Sequence, residues 1–177
     1  MASRSNSLAA ADWLLLVATL PTDDAAARMR VLRTLETLGV AVLRDGVYVL
    51  PGSAGNKSSL DSLANYVRRF GGMAHVLDAQ TKDLEKTNEF YALFDRGAKY
   101  DELKRDIASL QAAFGVSDPR SIAAVLAKQR QTFDAISALD FFASPLKAET
   151  ERLLQEMESK IQGLTYTDSR PTNTQGN

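Results

Sequence analysis

The hydrophobic pattern changes period several times along the chain, and each change predicts an element. Trp13 to Leu20 is a continuous run, apolar but for Thr19 and stopped by Pro21. A run without alternation predicts a strand covered on both faces, or nearly so. Thr22 is placed to cap a helix, and Asp23 and Asp24 suit the positive end of its dipole. Met29, Val31, Leu32, Leu35 and Leu38 then recur at helical spacing, and Gly39 is placed to end that helix in a left-handed conformation. Val40–Leu43 and Val47–Leu50 read as two strands. Asp45-Gly46 forms the hairpin turn between them, because glycine tolerates the positive φ that tight turns require. Pro51-Gly52 stops the second of these strands, and Ser53–Ser59 reads as a loop. Leu60, Leu63, Ala64, Val67 and Phe70 give a second helical stripe, ended by Gly71-Gly72, and Met73–Leu77 is a fourth strand.

Strand, helix, strand, strand, helix, strand is the order of a ferredoxin-like βαββαβ sheet. Two right-handed crossovers flank a hairpin, giving an α+β fold with both helices on one face. After Lys82 the pattern is helical throughout. Phe90, Tyr91 and Phe94 form one cluster, and Leu103, Ile107, Leu110 and Phe114 form a second stripe. Ser117-Asp118-Pro119 predicts a helix start with proline in the first turn, leading through Ile122, Leu126 and Phe133. Ser144-Pro145 starts a last helix through Leu154 and Ile161. The expected organisation is a ferredoxin-like subdomain at 12–80 and a helical region at 82–163 packed on it. A polar, disordered tail is expected at 164–177, and Met1–Ala11 is expected to fray. The apolar first strand requires cover on the sheet's second face, from the later helices, a second subunit, or both.

Composition narrows the chemistry. The 177 residues include no cysteine, which excludes a disulfide framework, a thiolate metal site and thiol redox chemistry within them. Arg4 followed by Leu8–Leu20 resembles a signal peptide superficially, but Asp12 interrupts it. No apolar stretch approaches the roughly 20 residues that span a bilayer. A cytoplasmic protein is expected. The net charge is −1, yet between Arg28 and Arg69 seven basic residues face only three acidic ones. Such a patch suits phosphate contact and also occurs on ordinary solvated surfaces.

Within that patch Arg28, Arg30 and Arg33 fall on the first helix. Arg30 and Arg33 are neighbours there, and Arg28 lies towards the other side. The fork of an arginine suits phosphate; the alternative is a solvated face paired with acids such as Glu36. Arg44 stands beside the hairpin, where it reaches outward or blunts a sheet edge. Arg68 and Arg69 end the second helix, where cations suit the dipole whatever the function. Lys57, in the expected loop, is the weakest candidate. His75 is the only histidine, which makes poor metal chemistry and precludes a Ser/His/Asp arrangement there. Gly52–Ser58 lacks the spacing of a phosphate-binding loop. Phe141 and Phe142, beside Pro145, read as an anchor for the last helix.

Several landmarks together resemble the N-terminal part of the ChrB family. They are WLLLVATLP at Trp13–Pro21, Arg-Met-Arg at Arg28–Arg30, LRDGVYVLP at Leu43–Pro51, FDRGAKY at Phe94–Tyr100 and ALDFFASPLKAE at Ala138–Glu149. The resemblance spans roughly Trp13 to Glu158. It implies a chromate-responsive regulator of efflux-pump genes, with DNA binding in the N-terminal half and chromate sensing in the C-terminal half. This chain stops soon after the last landmark, so chromate sensing is not expected of it. The first half also resembles the ferredoxin-like domain of phenylacetate-pathway repressors and CRISPR-associated endoribonucleases. Those nucleases hold a metal with an aspartate near the end of the first strand. Ala18 and Thr19 stand there instead, so nuclease activity is not expected. The resemblance, with the basic balance between Arg28 and Arg69, implies a DNA-binding protein contacting chromate-resistance promoters through Arg28, Arg30, Arg33, Arg44, Arg68 and Arg69, and the sheet face that needs cover and the symmetry of most operators imply a homodimer. No catalytic residue, metal or cofactor is expected. The alternative is an interaction module that joins a longer ChrB-like regulator without touching DNA.

Overall fold

A computed structural model describes residues 12–20, 23–114, 116 and 118–168. They form two compact units that divide between Phe94 and Asp95.

The first unit contains β1 (Asp12–Thr19), α1 (Ala25–Leu38), β2 (Ala41–Arg44), β3 (Val47–Pro51), α2 (Ala54–Arg69), β4 (Met73–Gln80) and α3 (Leu84–Leu93). The sheet order is β2-β3-β1-β4 and every neighbouring pair is antiparallel. This is the ferredoxin-like arrangement expected from the sequence, in an α+β fold.

Register assigns the two faces of the sheet. Leu14, Leu16 and Ala18 share a face with Leu50, Tyr48 and Ala74, and all six are buried. Both crossover helices lie over this face. From α1, Arg28 acts electrostatically on Tyr48, and from α2, Lys57 pairs with Asp78 at 2.7 Å. The opposite face carries Trp13, Leu15, Val17 and Thr19. Here α3 covers one end: Trp13 stacks on Phe94 at 5.8 Å and meets Phe90 and Tyr91 edge-on at 5.1 and 5.5 Å. The cover is incomplete, for Val17 is 39% exposed. The expectation of a first strand buried on both faces therefore holds at Trp13 and fails towards Val17.

Local chemistry sets the element ends. Asp24 caps α1, its carboxylate accepting from the Ala27 amide at 2.8 Å; Thr22, the expected cap, lies outside the described residues. Gly39 closes α1 with φ 66°. In the hairpin, Gly46 has φ 74°, and a Cβ there would meet the Ala18 carbonyl oxygen at 2.6 Å. Space and backbone both demand glycine. The expected loop over Ser53–Ser59 is instead the start of α2. Ser53 caps it through the Asn56 amide at 3.1 Å, and the Asn56 side chain donates to the Pro51 carbonyl at 2.8 Å. In α1, the expected apolar stripe narrows to Ala27, Val31 and Leu35; Met29 and Leu32 are exposed.

The second unit is three helices, α4 (Gly97–Ala112), α5 (Pro119–Ala138) and α6 (Leu146–Asp168), each packed on the other two. Tyr100, Leu103, Ile107, Ile122, Leu126, Phe133, Leu154 and Met157 form its core. Asp118 caps α5 with Pro119 in the first turn. Ser117 lies outside the described residues. α6 continues past Gly163 to Asp168, so the first five residues of the expected disordered tail are helical; residues 169–177 lie outside the description. Bidentate bonds from Arg130 to Glu158, at 2.9 and 3.0 Å, join α5 to α6, and Lys104–Glu149 at 2.8 Å joins α4 to α6. Among the described residues no helix is long and apolar enough to cross a membrane.

Asp140 organises the turn between α5 and α6. Both its oxygens accept from the Ser144 amide at 3.0 Å, and the Tyr100 hydroxyl donates to it at 3.1 Å. Ala143 in this turn has φ 52°, a left-handed conformation that costs a residue with a Cβ about 1–2 kcal/mol. Replacing it with glycine relieves that strain but gives the unfolded chain more freedom. The expected net gain for Ala143→Gly is about 0.5–1 kcal/mol, read as a higher urea midpoint at unchanged slope.

Burial, helped by the negative charge and hydrogen bond of Asp140, pushes the Tyr100 hydroxyl up to about 12. The unfolded chain releases this proton near pH 10 and the folded protein does not. Its contribution is thus fully present below pH 10 and is lost as pH rises through 12. Denaturant melts across that window should show a falling midpoint. Tyr100→Phe should flatten the fall and lose about 1 kcal/mol at neutral pH with the hydrogen bond.

Candidate nucleic-acid interface

The six arginines singled out from the sequence all lie in the first unit, and all are exposed. They do not form one patch. α1 turns Arg30 and Arg33 outward along the stripe that holds Met29, Thr34 and Thr37, around a shallow depression of about 600 Å³. The two threonines bond back to their own helix, Thr34 to the Arg30 carbonyl at 2.9 Å and Thr37 to the Arg33 carbonyl at 2.8 Å.

Arg28 faces the hairpin end instead. Its charge acts on Tyr48, whose hydroxyl is pushed up by burial and by Asp45 and drawn down by Arg28. Arg44 is the last residue of β2, beside an irregularity in the β2–β3 register between Val42 and Arg44. A bulge turns a side chain away from the regular ladder direction. α1 and the hairpin thus bring Arg28 and Arg44 towards one end of the sheet, with Asp45 as the nearby acid.

Arg30 has a neighbour that sequence spacing did not reveal. Its guanidinium sits over the Tyr66 ring at 4.8 Å, and Tyr66 packs on Phe70 at 4.6 Å. This column links α1 to α2 and holds Arg30 at the surface in a defined orientation. Tyr66 and Phe70 are spaced i, i+4 on α2, which does place two rings together. Nothing in that spacing indicates a cation from another helix above them.

At the end of α2 the two arginines differ. Arg68 donates to the Ala74 carbonyl at 2.6 Å and to the Asn65 side chain at 2.7 Å, tying α2 to β4. Arg69 makes no such bond among the described residues. Lys57 lies in the first turn of α2, paired with Asp78. His75 is exposed on β4, and no cluster of three or more His, Cys, Asp or Glu occurs among the described residues. Ala18 is buried and Thr19 exposed at the end of β1; neither offers a carboxylate. The arrangement leaves positive charge exposed on α1, on the hairpin and at the end of α2.

Comparison with known proteins places these residues in context. Residues 28–170 match the family described as "Protein ChrB, N-terminal". The chain is 34% identical over 149 residues to Protein ChrB of Cupriavidus metallidurans, covering 84% of this chain and 46% of that protein. The chain thus spans a little under half the length of this relative. A solved structure of an uncharacterized protein from Mycobacterium tuberculosis aligns with a TM-score of 0.48 at 17% identity, over 86% of this chain and 63% of that one.

The contrast at the end of α2 is measurable as stability. Arg68→Ala removes two charge-assisted hydrogen bonds at a partly solvated site and should destabilise the protein by about 1 kcal/mol. Arg69→Ala should stay within about 0.5 kcal/mol of the parent in the same urea titration.

Proposed function

The chain belongs to the ChrB family, to whose N-terminal region it corresponds, and from that premise we propose that it is the DNA-contacting part of a regulator of chromate-resistance genes. The observation that carries this reading is the set of exposed arginines on α1 and the hairpin. Arg28, Arg33 and Arg44 are in no ion pair among the described residues, and Arg30 is braced by Tyr66. A guanidinium held at the surface without an acid partner gains most from a phosphate, because it gives up no existing salt bridge. Arg69 extends the charge to α2. Arg68 serves the fold first.

In this reading the protein acts as a homodimer, since two-fold operators are matched by two-fold proteins, and a DNA partner places it in the cytoplasm. It does no chemistry on the nucleic acid. Chromate sensing belongs to the portion of longer family members that this chain does not span.

The test is a salt titration of binding to a promoter fragment from a chromate-resistance operon. Log affinity should fall linearly with log salt, by about 0.9 for each phosphate contacted. Replacing Arg28, Arg30 and Arg33 with alanine should weaken binding to every sequence. It should also flatten the slope by up to about 2.7, at 0.9 for each phosphate that is no longer reached. A urea midpoint on the same preparation controls for removal of the Arg30 guanidinium from the Tyr66 ring. A folded triple variant with unchanged affinity and slope moves the interface off α1. An unmutated protein that binds no DNA at low salt turns the reading towards association with a longer ChrB-like regulator.

A further inference from the structure

The two edges of the sheet are built differently. β2 is four residues long, its register is broken between Val42 and Arg44, and it ends on a charge. Those are the devices by which a sheet edge avoids pairing with another strand. β4 is eight residues long and pairs with β1 in unbroken register from Met73 to Gln80. It has no proline, and one face of it carries exposed apolar side chains, Met73 at 65% and Leu77 at 49% beside Val17 of β1 at 39%, with the exposed His75 between them.

Backbone geometry says which groups of β4 face outward. The Ala18 amide donates to the Gly46 carbonyl, on the β3 side of β1. Ala18 and its partner Ala74 are therefore a non-hydrogen-bonded pair, and Ala74 directs its backbone groups away from β1. The Arg68 guanidinium takes this outward Ala74 carbonyl, so the groups left open on the edge begin at Val76. By alternation Val76 and Asp78 also present N–H and C=O outward, and no further strand pairs with these two among the described residues.

We propose that this edge pairs antiparallel with β4 of a second copy, about a two-fold axis at Leu77, forming a continuous eight-stranded sheet. The proposal rests on the dimeric reading above and specifies its interface. An axis at Asp78 compares poorly, since it sets that carboxylate against its own copy, whereas one at Leu77 sets Asp78 opposite Val76. Charge then alternates along the seam. Each strand carries the Arg68 guanidinium towards one end and Asp78, paired with its own Lys57, towards the other, and antiparallel pairing brings Arg68 of one copy towards the Lys57–Asp78 pair of its partner. Leu77 meets its own copy in a non-hydrogen-bonded pair, the close type, and buries the exposed apolar flank.

Because the chain lacks cysteine, one introduced thiol reports this geometry. Directly opposite Cβ atoms lie about 4.5–5.5 Å apart, within a small adjustment of a disulfide. Under mild oxidation Leu77→Cys should convert most of the protein to a covalent dimer on a non-reducing gel. Asp61→Cys, exposed on α2, should convert little. Val76→Pro deletes an outward N–H that β1 does not use, so it should raise the dissociation constant at least tenfold in light scattering. Leu77→Lys should do the same if the proline variant misfolds by circular dichroism. Two results overturn the edge pairing and leave dimeric DNA binding standing. One is a dimeric parent whose Leu77→Cys variant fails to cross-link; the other is a folded Val76→Pro variant that dimerises as the parent does. A parent that stays monomeric throughout a concentration series overturns the interface and the dimeric reading together, without touching the salt test for DNA contact.

Discussion

Hydrogen bonding of β1 along both edges and burial of its side chains on both faces set the conditions for the rest of the first unit. The strand is paired with β3 and β4. Leu14, Leu16 and Ala18 go under α1 and α2, while Trp13 goes under α3. Each fully buried leucine contributes about 1.5–3 kcal/mol, and each favourable aromatic pair around Trp13 adds about 0.5–1.5 kcal/mol beyond its buried area. A strand loaded in this way cannot slip by one residue, since a slip would send Trp13 to the helix-covered face and Leu14 to the other. The register of β1 therefore fixes where the hairpin sits, and with it the end of the sheet that Arg28 and Arg44 share.

That rigidity separates the arginines by role. A guanidinium that completes the fold is held by carbonyls, as Arg68 is by Ala74. One available to a partner is either left in water, as at Arg33 and Arg69, or braced by a surface that takes none of its hydrogen-bonding capacity. Arg30 is of the last kind. A ring face attracts the cation while leaving its N–H donors free. The side chain loses less freedom on meeting a phosphate because part of its ordering is already done within the protein.

Much of this was legible in the sequence where local chemistry decides the outcome. The unbroken run of β1, the Asp45-Gly46 turn and the Gly39 stop each have one cheap solution, and the structure takes it. The start of α2 was not legible, because Ser53-Ala-Gly-Asn-Lys-Ser-Ser has the composition of a loop. Its helix depends on the Ser53 cap and on a bond from Asn56 back to Pro51, which only the folded strand supplies. Periodicity likewise overcounted the buried side of α1, since Met29 and Leu32 have the spacing of a core stripe but stay exposed. The candidate site divides in the same way. Helical spacing separated Arg28 from Arg30 and Arg33 correctly. The support of Arg30 by Tyr66, and the commitment of Arg68 to β4, are contacts between distant segments and leave no local pattern.

The strand order links the two proposals. Arg44 lies on β2 at one edge of the sheet, and the longer strand β4 is the other. Joining two copies through β4 leaves both β2 strands at the far ends of one sheet, with both crossover-helix layers on the same side of it, because the two-fold axis of an antiparallel strand pair runs along the sheet normal. Seven inter-strand spacings of about 4.8 Å separate the outer strands by roughly 34 Å before sheet twist shortens the straight line. One turn of B-form DNA repeats at about 34–36 Å, the spacing at which symmetric half-sites present equivalent grooves. Pairing through β2 would instead place Arg44 in the seam and bring the hairpins of the two copies together. On the two proposals together, the bulged and charged edge is the one left open for DNA contact, and the long edge is the one whose closure leaves Arg28, Arg30, Arg33 and Arg44 accessible.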